Sequence, residues 1–183
     1  MMPEETLFRV GARTARVLAP GADEPRVQRL CEACRDYYEL NAGTPPSASA
    51  ARDLFTAGPP SARPEDKLVL GVFEAPGDGS VRGGRLVGLI EGFRGYPEAG
   101  AWWLGLVMLH PDERGRGLGA ALVEAFVAWA GGQGARCLWL GVTERNERAL
   151  RFWQGQGFVF VRHTGETRVG ERVTRVTVLR RVM

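Results

Sequence analysis

A glycine-rich turn between an apolar run and a helix-forming segment constrains this chain more than any other feature of its sequence. Residues 114–119 read Arg-Gly-Arg-Gly-Leu-Gly. The first turn of a helix presents free N–H groups and the positive end of the helix dipole. Glycines remove the Cβ atoms that would keep a phosphate away, and the two arginines add positive charge. The turn therefore predicts a strand–turn–helix unit that binds a phosphorylated ligand.

The hydrophobic pattern predicts an α/β (α+β) fold with a mixed, mostly antiparallel sheet of about six to seven strands flanked by helices. A length of 183 residues suits a single domain, residues 1–183. The strand–helix–strand unit over 102–142 requires one parallel strand pair. The predicted strands cover 7–18, 68–74, 85–94, 102–109, 136–142, 158–163 and 172–182. The predicted helices cover 23–38, about 50–57, 117–130 and 146–154, and a turn at 76–79 follows the second strand.

Composition and charge argue against several kinds of function. The formal charge is +3, and the arginines that supply all but one of the 24 basic residues are scattered, which does not favour nucleic-acid binding. No apolar stretch approaches the ~18 residues of a membrane span, and no secretory signal is visible, so a cytoplasmic protein is expected. Cys31 and Cys34 lie in a predicted helix without a second pair, which predicts buried thiols and no metal site.

The turn alone leaves the bound anion open. Gly115-x-Gly117-x-x-Ala120 formally matches a dinucleotide fingerprint. Three observations argue against a site for NAD. The acidic residue expected about 20 positions further on is missing, and the turn comes late in the chain, after a meander. The turn is also separated from the end of its strand, whereas a dinucleotide-binding turn follows its strand directly. A nucleoside triphosphate loop is excluded because no Gly-Lys-Ser/Thr follows. A nicotinamide-dependent enzyme is thus kept as an alternative.

Two motifs resemble one family. Arg114-x-x-Gly117-x-Gly119 resembles the acetyl-CoA motif of the GNAT superfamily of N-acetyltransferases. Downstream, the segment 146–158, Asn-Glu-Arg-Ala-Leu-Arg-Phe-Trp-Gln-Gly-Gln-Gly-Phe, resembles the other signature of that superfamily. The two motifs stand in the right order at the right spacing. The resemblance implies a sheet that is splayed open between its fourth and fifth strands, with acyl-CoA in the opening.

The resemblance also implies a set of cofactor contacts. The strand segment 107–109 would pair its backbone with the pantetheine arm, and 114–120 would hold the pyrophosphate, mainly by main-chain N–H groups. Asn146 would reach the pantetheine, while Phe152 and Trp153 would line the wall near the thiol. Asn146 is equally a natural helix cap, and Phe152 is equally a core residue. The residues implied are Val107, Met108, Leu109, Arg114, Gly115, Arg116, Gly117, Leu118, Gly119, Ala120, Asn146, Phe152 and Trp153.

The chemistry of acyl transfer to an amine predicts a base and an oxyanion donor. Glu91 is the candidate base, because a carboxylate inside an apolar strand is unexpected unless it faces a cleft or an ion-pair partner such as an arginine. The backbone N–H near Leu109 is the candidate oxyanion donor. Glu98 and Glu113 are expected to be solvated in loops. His163 is either a second base or a surface residue of an edge strand.

One position departs from the family pattern. Many members place a tyrosine, which protonates the leaving thiolate, where this chain has Trp153. An indole N–H donates a hydrogen bond but does not give up its proton near neutral pH. Water, Tyr37 or Tyr38 is expected to substitute, or the thiolate leaves unaided, since thiol pKa values lie near ~8.5.

These observations predict an N-acetyltransferase that uses acetyl-CoA as co-substrate and acts on a primary amine of a small molecule or peptide. Because the usual acid is missing, a non-catalytic acyl-CoA sensor or scaffold is the alternative. Trp102 and Trp103 point to opposite faces of their strand, so one is expected in the core and the other beside the acceptor. The exposed C-terminal strands offer a surface for a homodimer, without a motif that supports one.

Overall fold

The protein is described by a computed structural model over residues 5–59, 61–74 and 84–183. The strands described are β1 (Thr6–Val10), β2 (Arg13–Val17), β3 (Lys67–Phe73), β4 (Leu86–Arg94), β5 (Ala101–Leu109), β6 (Cys137–Thr143), β7 (Val159–His163), β8 (Thr167–Val169), β9 (Arg172–Thr174) and β10 (Val176–Val182). The α-helices are α1 (Glu24–Ala33), α2 (Arg35–Ala42), α3 (Ala50–Thr56), α4 (Leu118–Gly132) and α5 (Glu147–Gly155). Short 3₁₀-helices occupy Pro64–Asp66 and Pro111–Glu113.

The main sheet has eight strands in the order β1-β2-β3-β4-β5-β6-β10-β7, and β8 and β9 form a separate ribbon. Neighbouring strands are antiparallel except β5 and β6, which are parallel and joined through α4. The predicted mixed, mostly antiparallel sheet is therefore confirmed. Within the described ranges, no helix is long and apolar enough to cross a membrane.

The strand count exceeds the prediction because the predicted strands over 7–18 and 172–182 are each divided in two and β8 was not predicted. The predicted strand over 7–18 is a hairpin, with Gly11 at φ +58° in the turn between β1 and β2. The predicted helix over 23–38 is divided at Cys34, whose φ and ψ of −94° and 30° interrupt the helical backbone. Hydrophobic alternation does not mark such breaks, since it continues on both sides of them. The predicted turn at 76–79 lies outside the described residues.

The sheet opens between β5 and β6. Their parallel pairing begins at Ala101 and Cys137 and ends at Leu104 and Leu140, while β5 continues to Leu109. These two strands correspond to the fourth and fifth predicted strands, because the first predicted strand is now two. The opening thus lies where the family resemblance placed it.

A β-bulge marks the start of this opening. Leu106 pairs with Glu91 and Leu104 pairs with Gly92, which leaves Gly105 as an extra residue in β5. Side chains two apart in a regular strand share a face. Here Leu104 packs in the core under α4, whereas Leu106 packs in the core under α1 and α3. The bulge therefore exchanges the two faces of β5, so that even-numbered side chains lie on the α4 side before Gly105 and on the α1 side after it.

A hydrophobic core fills each face of the sheet. On one face, Phe126 and Trp129 of α4 pack around Trp102 with ring centroids 5.6 to 6.2 Å apart. On the other face, Val27 and Leu30 of α1 pack against β3, β4 and the second half of β5. Full burial of one such side chain contributes about 1.5–3 kcal/mol. The two cores fix α4 and α1 on opposite sides of the opening.

Candidate functional site

The glycine turn has the backbone that a helix-terminal anion site requires. Gly115 and Gly117 have φ values of +77° and +81°, a region that residues with a Cβ rarely adopt. A Cβ at either position would meet no atom within 4 Å, so the space beside the turn is open. Gly117 is the N-cap of α4, and no described side chain caps that helix. The N–H groups of its first turn, which lack intrahelical partners, therefore remain available to a ligand.

Glu113, immediately before the turn, is not solvated, so that prediction was wrong. It is 5% exposed, and its carboxylate pairs with Arg13 at 2.5 Å and with Arg85 at 3.0 Å. Its sequence neighbours do not reveal this, because the arginines come from β2 and from the residue before β4. The two ion pairs fasten the glycine turn to the sheet. Glu98 is exposed, as predicted.

The two arginines of the turn have different partners. Arg114 Nε donates to the carbonyl oxygen of Leu109 at 3.0 Å, and its Nη1 lies 2.5 Å from Asp36 Oδ2. The hydrogen bond from Arg114 lowers the pKa of the Asp36 carboxyl. Arg116 is exposed, and no partner for it is found among the described residues. The side chain of Arg116 is therefore the one that remains open to an added anion.

Helix α2 bridges the two strands that diverge. At its start, Cys34 Sγ donates to the Leu109 carbonyl oxygen at 3.3 Å, and Asp36 holds Arg114. Near its end, Asn41 Oδ1 accepts a hydrogen bond of 2.5 Å from Thr143 Oγ1 at the end of β6. The first contacts are at the end of β5 and the last is on β6, so α2 forms a wall of the opening. No pattern in the sequence indicated this role for Asn41.

The exposed edge of β5 carries main-chain groups that point into the opening. The N–H of His110 donates to the Val87 carbonyl at 2.9 Å, which makes Leu109 and Gly88 a non-hydrogen-bonded pair. The N–H and C=O of Leu109 therefore point away from β4, and alternation gives Val107 the same orientation. β6 pairs with β5 only as far as Leu104, so these groups face the opening.

The backbone of Met108 is not placed to pair with the pantetheine arm, the role predicted for it. Its partner across the antiparallel ladder is Leu89, and by the same alternation its main-chain groups point towards β4. Its side chain is buried in the core under α1 and α3. Of the segment 107–109, the backbone groups open to an extended ligand are therefore those of Val107 and the N–H of Leu109, since the Leu109 carbonyl already accepts from Arg114 and Cys34.

Helix α5, which carries the second sequence motif, contacts the glycine turn of the first motif. Asn146 Oδ1 accepts from the N–H of Ala149 at 3.1 Å and so caps α5. The Phe152 ring lies beside Gly119, 3.5 Å from the position that a Cβ would take there. Trp153 is buried in the core, with its ring centroid 5.1 Å from that of Phe158. Of the two aromatic residues, Phe152 is the one next to the glycine turn.

Glu91 lies in a cavity of about 230 Å³ on the α3 side of the sheet. Its Oε1 is 2.6 Å from Lys67 Nζ, and both side chains are about nine-tenths buried. The ion-pair partner is thus the single lysine of the chain and not an arginine. Lys67 Nζ also donates to the Ala57 carbonyl and lies 4.6 Å from the centre of the Phe93 ring. The cavity is lined by Asp53, Leu54, Ala57, Gly58, Pro59, Lys67, Glu91, Phe93, Trp103 and Gly105.

The other oxygen of Glu91 faces the β-bulge. A Cβ at Gly105 would lie 2.3 Å from Glu91 Oε2, so any larger residue there would displace the carboxylate. Burial raises the pKa of Glu91, and the nearby Lys67 ammonium opposes that shift without cancelling it. A carboxylate with a raised pKa at the start of the opening is suited to exchange protons near neutral pH.

The remaining candidates take distinct positions. Burial, with a contribution from the charge of Glu91, raises the pKa of Tyr37 to about 12, while the Tyr38 hydroxyl donates to Cys31 Sγ at 3.2 Å. Trp102 is in the core, and Trp103 lines the cavity, as their alternation predicted. His163 is exposed on β7, an edge strand whose five residues are all exposed. The dimer surface expected there stays a prediction.

Comparisons with known proteins agree with the fold and with the motifs. Residues 51–158, more than half of the chain, match the model of the acetyltransferase (GNAT) family. Uncharacterized N-acetyltransferases of Mycobacterium bovis and Mycobacterium tuberculosis are 42% identical over 55 residues. That alignment covers 30% of this chain and 35% of each relative.

Solved structures match over almost the whole chain. An acetyltransferase from Thermus thermophilus is 27% identical with a TM-score of 0.74, covering 95% of this chain and 99% of its own. A spermidine N-acetyltransferase from Vibrio cholerae, in complex with CoA and spermine, has a TM-score of 0.69 over 94% of this chain and 96% of its own. Its identity of 17% makes it a match in fold only.

Proposed function

The chain belongs to the acetyltransferase (GNAT) family, and we propose that it transfers an acetyl group from acetyl-CoA to a primary amine of a small molecule or peptide. The proposal rests on one arrangement. Phosphate-binding N–H groups at the start of α4, outward-facing backbone on Val107 and Leu109, and the Glu91 carboxylate follow one another along the opening. In that order, they would bind an anion, pair with an extended chain and accept a proton.

The residues present fit a CoA molecule. The main-chain N–H groups of 115–120 and the side chain of Arg116 would hold the pyrophosphate. The N–H of Leu109 and the C=O of Val107 would pair with the amide groups of pantetheine, which have the same donors and acceptors as a peptide. This places the thiol end towards the Gly105 bulge. Asn146 caps α5, and its amide nitrogen, which the cap does not use, is available to the pantetheine.

When bound, acetyl-CoA supplies a thioester whose carbonyl carbon a neutral amine attacks, so that a C–N bond forms, the C–S bond breaks, the nitrogen releases a proton to water and CoA leaves as its thiolate. Glu91 takes the proton that the ammonium form of the acceptor must lose, directly or through a water molecule. The N–H of Val107, which points away from β4 and lies next to the Gly105 bulge, would donate to developing negative charge on the carbonyl oxygen, whereas the N–H of Leu109, the predicted donor, lies two residues closer to the pyrophosphate.

Protonation of the leaving thiolate has no dedicated side chain at the usual position. Trp153 is buried and its indole is not an acid. Tyr37, with a pKa of about 12, keeps its proton at neutral pH and can donate a hydrogen bond to a thiolate. Because a CoA thiol has a pKa of only ~8.5, the thiolate can also leave and take its proton from water.

Two measurements test the proposal. Thermal-shift titration should show stabilisation by acetyl-CoA, and stabilisation by NAD instead would overturn the assignment of the opening. Release of the CoA thiol should then be followed with a panel of primary amines. Binding of acetyl-CoA without turnover of any amine would favour the non-catalytic sensor, the alternative that the missing tyrosine permits.

A further inference from the structure

The cavity beside Glu91, which we call the acceptor cavity, contains a positive as well as a negative group. Lys67 and Glu91 are 2.6 Å apart inside it, and both are largely shielded from solvent. This chain uses arginine at every other basic position, yet the residue here is lysine. An ammonium is a compact point charge with three donors, whereas a guanidinium is a broad planar fork. The position therefore suits a small charged group that shares a confined space with a ligand.

Each member of the pair keeps one bonding site that has no hydrogen-bond partner among the described residues. Of the three N–H donors of Lys67, one reaches Glu91 Oε1 and one the Ala57 carbonyl, which leaves a third on an ammonium that also lies over the Phe93 ring. Glu91 Oε2 faces Gly105, and no donor to it is found in the part of the chain that the structure describes. The cavity thus presents a free N–H⁺ donor and a free carboxylate oxygen side by side.

From this pairing we propose that the acceptor is a free α-amino acid with an apolar or aromatic side chain, bound as its zwitterion. This inference rests on the proposed function and specifies its acceptor. Lys67 binds the carboxylate of the amino acid, and Glu91 binds its ammonium group and takes the proton. In an α-amino acid these two charges are separated by one carbon, which matches two protein charges in direct contact.

Other amines fit the cavity less well. A simple monoamine would use Glu91 but leave Lys67 without a new partner. A polyamine would bring further positive charge towards the Lys67 ammonium, and like charges in a poorly solvated site repel strongly. Asp53 is the other charged group on the lining, and its carboxylate accepts from Ser49 Oγ at 3.1 Å on the exposed side. It does not provide the row of carboxylates that a polyamine would need.

The rest of the lining indicates the side chain of the amino acid. Phe93 and Trp103 are directly opposite each other on β4 and β5, so their rings share one face of the sheet. Leu54 and Pro59 add apolar surface. The volume of about 230 Å³ is below the roughly 300 Å³ at which pockets for drug-sized ligands begin. A single amino acid is therefore a better match than a longer peptide.

Matched substrate pairs test the inference without altering the protein. L-phenylalanine and 2-phenylethylamine differ only by the carboxylate, as do L-leucine and 3-methylbutylamine. We expect kcat/KM to be higher for the amino acid by about tenfold or more in at least one pair, as for a charged hydrogen bond that the amine lacks. Turnover of the amines or of spermidine with equal or greater efficiency would overturn the inference and leave the proposed function standing.

A substitution tests whether Lys67 causes the preference for the amino acid over the amine. In Lys67→Met the preference of amino acid over amine should fall to about one, because the amine never used the ammonium. The control is Arg63→Met, which removes a nearby positive charge whose side chain is mostly exposed; there the preference should persist. A preference that survives Lys67→Met in a variant with an unchanged circular dichroism spectrum would also overturn the inference. Failure of every amine to react, despite acetyl-CoA binding, would instead count against the proposed function.

Discussion

The ring of Phe152 in α5 lies against Gly119 in the first turn of α4, 3.5 Å from where a Cβ would be. These residues belong to two sequence motifs that are about thirty positions apart. Their contact brings the anion-binding turn and the second motif to one wall of the opening between β5 and β6. The predictions below concern the residues along that opening.

Gly117→Glu should abolish acetyl-CoA binding, because a carboxylate would occupy the phosphate site at the start of α4. Since Gly117 has a φ of +81°, any other residue also strains the backbone. Gly117→Ala is the matched control, which carries the strain without the charge and should retain measurable binding. Isothermal titration of both variants separates the effects, and equal affinity in a folded Gly117→Glu protein would refute the phosphate site.

Glu91→Gln should lower kcat by about 10²- to 10⁴-fold, the usual contribution of a general base. The affinity for acetyl-CoA should hardly change, because Glu91 lies on the acceptor side. Glu98→Gln, at an exposed loop position, is the control and should behave as wild type. Steady-state kinetics with a saturating amine checks this, and a loss of less than tenfold would exclude Glu91 as the base.

In Lys67→Met, the acid limb of the pH profile should move to higher pH. Glu91 accepts a proton only when ionised, so activity falls as the pH drops through its pKa, which burial has raised. Lys67 opposes that increase, and its removal should raise the pKa of Glu91 further. The measurement is log kcat/KM against pH with the 2-phenylethylamine substrate. A limb that stays in place or moves to lower pH would contradict the assignment of that limb to Glu91.

Gly105→Ala should reduce kcat while the protein remains folded. The new Cβ would lie 2.3 Å from Glu91 Oε2, so the carboxylate must leave its present position. Gly155→Ala is the control, because a Cβ there meets nothing within 4 Å and alanine is favoured over glycine in a helix by about 0.5–1 kcal/mol. Kinetics and thermal melts of both variants should show lost activity only in the first.

Glu113→Gln should weaken acetyl-CoA binding and lower the stability of the fold. It leaves Arg13 and Arg85 without their shared carboxylate. Because both arginines keep some solvent contact, we expect a cost of about 1–3 kcal/mol, below that of a fully buried pair. Asp112→Asn, the exposed neighbour, should change neither property. Urea melts and the KM for acetyl-CoA test this, and an unchanged KM would mean that Glu113 does not hold the turn.

The sequence was most informative where function depends on local chain order. The turn at 114–119, the helix cap at Asn146 and the opposite orientations of Trp102 and Trp103 all follow from spacing, and the structure has them as expected. The hairpin at Gly11 was missed because a two-residue turn does not interrupt the apolar pattern. Such errors change the strand count but not the order of the later elements.

The partners of buried charged residues were the least predictable. Glu113 was expected in solvent, and the partner of Glu91 was expected to be an arginine. The actual partners, Arg13, Arg85 and Lys67, lie from 24 to 100 positions away in the chain. Long-range pairing depends on strand order and register, neither of which a single sequence contains. The bridge from Asn41 to Thr143 was missed for the same reason.

The extra residue at Gly105 has a consequence for how β5 tolerates substitution. Before it, even-numbered positions serve the layer under α4; after it, they serve the layer under α1. A saturation scan of the strand should therefore find the even-numbered positions sensitive on both sides of 105, because Trp102, Leu104, Leu106 and Met108 are all buried. Double-mutant cycles should couple Trp102 and Leu104 to α4, and Leu106 and Met108 to α1, so that one inserted residue divides a single strand between two hydrophobic cores.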